Sequence, residues 1–254
     1  MMTIWIGTSW KMNKTRAEAK TFAEALAATR IAERADAQLF VIPPFPYIAD
    51  VADLLRGTSI KVGGQNMHWE DQGAWTGEVS PLMLLDCAAS MVEIGHSERR
   101  EHFGETDETV ALKVRAALKH GLIALVCIGD TKTEYDTGRT AEVLERQVRI
   151  ALSEAGKDLT GRVLIAYEPV WSIGEGGIPA DPYFANAQHK RIKDVIRACC
   201  GQELPVLYGG SVSQQNCEDL IAQQHIDGLF IGRAAWNAAG YVRIVEMTAV
   251  PKTL

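Results

Sequence analysis

One amine, one imidazole and one carboxylate, Lys11, His96 and Glu168, could do chemistry together in this sequence. Glu168 closes an apolar run, VLIAYE, and Pro169 follows at once, which bars further ladder pairing there. Trp171 and the glycines Gly174, Gly176 and Gly177 come next. A carboxylate at the tip of a buried strand, ahead of a glycine-hinged loop, suits a general base beneath a lid. A strand end with a surface turn is the ordinary alternative, but burying an unpaired acid beside Pro-Val-Trp is costly. His96 precedes Ser-Glu-Arg-Arg, where the turn opens a short helix. A helix N-terminus disfavours a cation, so the imidazole should stay neutral and donate a hydrogen bond. Taken singly, Lys11 reads as a solvated lysine, His96 as a structural histidine, and Glu98 with Arg99 as a surface ion pair.

Two glycine turns, YGGSV (208–212) and FIGRA (230–234), accompany them. Glycines let a backbone approach an anion closely, so the pair, with Ser211 and Gly174, predicts a phosphate cradle.

The elements that must carry these residues alternate regularly. Apolar strands are expected at 3–9, 38–44, 59–65, 91–97, 122–129, 162–169, 204–211 and 226–236. Helices are expected at 15–29, 47–57, 80–87, 106–121, 140–155, 181–200, 215–223 and 241–247. The strands are continuous apolar runs, which fits a parallel sheet buried on both faces. Eight strand–helix units in one chain predict an α/β protein with a closed (β/α)8 barrel, a single domain over 1–254. An open doubly wound sheet is the competitor, but the first strand carries no GxGxxG. In such a barrel the site lies at the C-terminal strand ends. The first strand then delivers Ser9, Trp10, Lys11 and Asn13, the fourth His96, Ser97 and Glu98, and the sixth Glu168. The seventh delivers Gly209, Gly210 and Ser211, and the eighth Gly232 and Arg233.

The net charge of −6 and pI near 5.6 give no basic footprint for nucleic acid or an anionic membrane. An anionic substrate must therefore be held locally. No apolar run approaches the roughly 20 residues of a membrane span. MMTIWIGTSW lacks the charged start and long apolar stretch of a signal peptide, so a cytoplasmic protein is expected. The five cysteines, Cys87, Cys127, Cys199, Cys200 and Cys217, show no metal-ligand spacing and read as reduced thiols, with Cys127 in the core. His68, His102, His120, His189 and His225 read as structural or surface residues.

Assembled in order, these segments resemble the triosephosphate isomerase family nearly end to end. The likeness runs through SWKMN (9–13), GAWTGEVSP (73–81), EIGHSERREHFGE (93–105), CIGDT (127–131), AYEPVWSIG (166–174), LYGGSV (207–212) and DGLFIG (227–232). It implies a TIM barrel with Glu168 as base, His96 as electrophile and Lys11 as the cation beside a developing enediolate. Glu98 would be a supporting carboxylate, and Gly174, Ser211 and Gly232 would give backbone contacts to phosphate. Proton abstraction next to a carbonyl needs no metal or redox cofactor, and none is expected. The resemblance also implies a homodimer through the loop Gln72–Pro81, with Thr76 near Ser9 or Lys11 of a second copy.

The departures from the family bear on substrate. Ser9 stands where the family usually has asparagine, the lid reads SIGEGGIPA (172–180), and Arg233 replaces a glycine of the last turn. Arg233 would point out of that turn, to bond phosphate or to brace the lid around Glu175. Such changes look like the branch that interconverts L-erythrulose 1-phosphate and D-erythrulose 4-phosphate. Serine for asparagine frees volume at the end away from phosphate and leaves a hydroxyl for the extra alcohol. An ordinary triosephosphate isomerase and a catalytically silent sugar-phosphate binder remain open beside it.

Overall fold

The computed structural model describes residues 3–174 and 177–248. Eight parallel strands close into a barrel in sequence order: β1 Ile4–Ser9, β2 Ala37–Ile42, β3 Lys61–Gly64, β4 Met91–Ile94, β5 Ile123–Ile128, β6 Val163–Tyr167, β7 Val206–Tyr208 and β8 Gly228–Ile231. The ladder is completed where β1 pairs with β8, with Trp5 opposite Gly228 and Thr8 opposite Ile231. Helices between the strands form the outer layer: α1 Arg16–Ala27, α2 Ile48–Leu54, α3 Pro81–Asp86, α4 Ser97–Phe103, α5 Asp107–Lys119, α6 Lys132–Asp136, α7 Thr140–Leu152, α8 Pro182–Cys200, α9 Cys217–Ile221 and α10 Ala238–Met247.

Strand alternation sorts the apolar residues into two cores. Trp5, Phe40, Met91, Leu125, Leu164, Leu207 and Phe230 fill the bore, while Ile6, Leu39, Val92, Val126 and Ile165 face the helices. Both strand faces are therefore buried, which is why the strands read as unbroken apolar runs. The same parity carries upward. Two residues beyond Met91 is Glu93, four beyond Trp5 is Ser9, and four beyond Leu164 is Glu168. These three polar residues sit at the top of an otherwise apolar bore and are all buried.

Local signals explain most boundaries. Thr15 with Glu18 forms a capping box for α1, and Ser80 caps α3, whose first residue is Pro81. The rim strands are shorter than their apolar runs because the chain leaves the ladder to build the site. β4 stops at Ile94, not 97, and β7 and β8 cover only 206–208 and 228–231. The short helix after His96 is present as α4. Two further differences are α6, capped by Thr131 and Glu134, and the start of α10, which begins at Ala238 under an Asn237 cap.

Candidate active site

Lys11, His96, Glu98, Glu168, Ser9, Gly174, Ser211, Gly232 and Arg233 all line one cavity of about 450 Å³ at the C-terminal rim. Each reaches it by a local device. Lys11 follows β1 with a left-handed backbone, φ 53°, which is uncommon for a residue other than glycine. The Gln65 side chain holds that turn by donating to the Lys11 carbonyl at 2.9 Å. Lys11 Nζ donates to Glu98 Oε1 at 2.6 Å. Burial pushes the Glu98 carboxyl up, but the bond and charge of Lys11 outweigh it, so Glu98 titrates below its ordinary value.

His96 caps α4: its Nδ1 accepts the N–H of Glu98 at 3.1 Å. A nitrogen that accepts carries no proton, so the neutral ring bears its proton on Nε2. Nε2 stands 3.5 Å from Glu168 Oε1 and 4.0 Å from Glu93 Oε1. The loop beneath is clamped on both sides. Gly95 N–H donates to Glu105 at 3.2 Å, and Arg100 donates to the Gly95 carbonyl at 2.7 Å. Arg99 pairs with Glu105 at 2.8 Å rather than with Glu98, which corrects the expected surface pair, because Lys11 has already claimed Glu98.

Glu168 is 2% exposed, and its Oε2 has no hydrogen-bond partner among the described residues. Its backbone N–H donates to Ile128 O at 2.8 Å, which fixes it just beyond β6. Gly209 is required by this placement: a Cβ there would lie 2.7 Å from Glu168 Cγ. The loop behind is anchored on Asp130, which accepts Tyr167 OH at 3.0 Å, Thr140 Oγ1 at 2.7 Å and Trp171 Nε1 at 3.4 Å. Asp130 was not singled out in the sequence, although CIGDT contains it. Gly174 takes φ +86° as the loop turns toward the cavity. The Ser211 hydroxyl donates to the Ser172 carbonyl, so this loop and the turn after β7 are tied. A Cβ at Gly232 would meet no protein atom within 4 Å, which leaves its backbone open to a ligand. Arg233 is exposed on the cavity wall and has no ion pair among the described residues. Glu175, expected beside it, and the lid residue Gly176 lie outside the described residues.

Two expectations need correction. Trp10 is not on the rim: it is fully buried and edge-on to Phe22 at 4.8 Å, filling the helix layer. Ser9 does not present a free hydroxyl proton, because its Oγ donates to Glu93 Oε2 at 2.9 Å. Glu93 itself was missed. Its signal was a charged residue in the strand MVEI, where both neighbours on its own face should be apolar. Burial, with the Glu168 charge adding to it, raises the Glu93 carboxyl to about 7, against smaller opposing effects of His96 and the Ser9 bond.

Among the described residues no cluster suited to a metal ion is present, and no helix is long and apolar enough to cross a membrane. The arrangement sets a buried carboxylate, one oxygen of which has no hydrogen-bond partner among the described residues, with an imidazole N–H and an ammonium around one cavity. Such a set can move a proton between carbons next to a carbonyl.

Comparison with known proteins agrees with this chemistry. The family model of triosephosphate isomerase matches residues 4–248. A protein of Brucella abortus biovar 1 (strain 9-941) described as L-erythrulose-1-phosphate isomerase is 58% identical over 98% of each chain. Proteins of the same description from Rhizobium rhizogenes (strain K84 / ATCC BAA-868) and Rhizobium meliloti (strain 1021) are 58% and 56% identical. The first covers 96% of this chain and 94% of its own, and the second 97% of each.

Proposed function

The chain belongs to the triosephosphate isomerase family, and on that premise we propose that it is an isomerase interconverting L-erythrulose 1-phosphate and D-erythrulose 4-phosphate. The observation that carries the reading is identity of 55–58% to isomerases of that description over nearly the whole chain. The whole of 1–254 is taken as one catalytic domain.

The geometry above supports the following roles. Backbone groups of Gly174, Ser211 and Gly232 receive the phosphate, with the Arg233 guanidinium beside it. The free oxygen of Glu168 takes the proton from C3 of L-erythrulose 1-phosphate. The C3–H electron pair becomes the C2–C3 double bond, and the carbonyl pair moves onto O2. Nε2–H of His96, set 3.5 Å from Glu168, donates to that oxygen. Lys11, held by Glu98, stabilises the negative charge. The O3 proton passes by way of His96 Nε2 to O2, the proton held by Glu168 returns to C2, and the carbonyl lies at C3. No oxidant or reductant enters, because one carbon is oxidised as its neighbour is reduced.

Two properties finish the reading. The loop Gln72–Pro81 exposes Trp75, 51% accessible, and Met12 beside Lys11 is 98% accessible. Large exposed apolar side chains of this kind anchor interfaces, so a homodimer through that loop is proposed. In that contact Thr76 would approach Ser9 or Lys11 of the second copy. The protein is proposed to act in the cytoplasm on a small phosphorylated sugar.

Exchange in deuterated water tests the chemistry without product identification. Wild-type enzyme should place solvent deuterium on the substrate carbons, and Glu168→Gln should not. Rapid exchange by Glu168→Gln would move the base elsewhere, and none by the wild type would leave a binder.

A further inference from the structure

Glu93 is a carboxylate in an apolar strand, 2% exposed, with one hydrogen bond, to Ser9. Its Oε1 lies 4.0 Å from His96 Nε2. Stability does not account for it. The barrel is already closed by its ladders, and the bore layer below is filled by apolar side chains at no desolvation cost. A buried polar pair at the cavity floor is therefore explained by what it presents upward.

What it presents is a lone pair. A hydroxyl has one proton and two acceptor sites. The Ser9 proton is committed to Glu93, so Ser9 Oγ faces any further partner only as an acceptor. Ser9 lines the cavity, whereas Glu93 does not. The barrel order also gives a direction. β4 lies across the bore from β8, and the glycine turns follow β7 and β8. The bond to β4 turns the Ser9 proton away from those turns and leaves its acceptor sites to the cavity.

We propose that Glu93 is a specificity-determining positioning residue, holding Ser9 Oγ as the acceptor for the terminal hydroxyl of a four-carbon ketose phosphate. The inference rests on the four-carbon reading above. A three-carbon substrate has no group to donate there and leaves the oriented oxygen unpaired when the site closes. Sites built to bond a hydroxyl discriminate strongly against the analogue lacking it.

The test is the ratio of kcat/KM for L-erythrulose 1-phosphate to that for dihydroxyacetone phosphate. Glu93→Leu and Glu93→Met remove the acceptor and should lower the ratio at least about 10-fold, whereas a fault in folding lowers both activities together. Glu93→Gln, whose amide oxygen can still accept from Ser9, should restore most of it. Ser9→Ala should match Glu93→Leu, and the double variant should fall no further, because one residue acts through the other. A ratio kept by Glu93→Leu and Glu93→Met, or independent losses in the double variant, overturns the inference. A wild type preferring the three-carbon substrate refutes the functional reading instead.

Discussion

Ser9 Oγ donates to Glu93 Oε2 across the barrel bore at 2.9 Å, tying β1 to β4 beneath the catalytic cavity. Two residues with no place in an apolar bore thus account for one another.

That burial predicts a pH dependence of stability. The Glu93 carboxyl is raised from 4.5 to about 7, chiefly by loss of water. A raised carboxyl binds its proton more tightly in the folded than in the unfolded chain. Its contribution is therefore fully present below the unfolded value of 4.5 and is lost as pH rises through about 7. The size is at most roughly 3 kcal/mol. Glu93→Gln cannot ionise, so its urea midpoint should rise relative to wild type between about pH 5 and about pH 8. A constant difference across that range would mean that Glu93 is not perturbed.

His96→Gln should lose about 100-fold or more in kcat with KM little changed, since the imidazole polarises a carbonyl and does not hold the phosphate. Steady-state kinetics decide it. An unchanged kcat would remove His96 from the mechanism.

Arg233→Ala should raise KM and weaken inhibition by inorganic phosphate by roughly fivefold, about 1 kcal/mol for an exposed charge-assisted contact. kcat should change less, and the difference should shrink at high salt. Unaltered inhibition by phosphate would place the guanidinium outside the anion site.

Sedimentation at micromolar concentration should give a dimer, and Trp75→Glu should shift it toward monomer with lower activity. The indole also packs at a tilt against His68 of its own chain at 4.5 Å, so circular dichroism must first show the fold intact. A fully active wild-type monomer would contradict the proposed interface.

The barrel was legible because its strands, buried on both faces, are written as unbroken apolar runs between amphipathic helices. Lys11, His96 and Glu168 were legible because each stands at a strand end beside a turn signal. Glu93 was not. Single-sequence pattern gives strand parity but not closure, and only closure brings Ser9 and Glu93 together over 84 residues of sequence. The pairing of Arg99 with Glu105 was hidden for a similar reason: the preference depended on which partner reached Glu98 first in space. α6 escaped notice although Thr131 and Glu134 form a capping box, because the helix is only five residues long and carries no apolar period.

Preference for a four-carbon ketose phosphate can be measured outright. The direct measurement is kcat/KM of the purified wild-type protein on L-erythrulose 1-phosphate and on dihydroxyacetone phosphate under identical conditions. The value for the tetrulose should be at least about 10-fold higher, equivalent to ~1.4 kcal/mol in the transition state. Equal or faster turnover of the triose would contradict it and leave a plain triosephosphate isomerase.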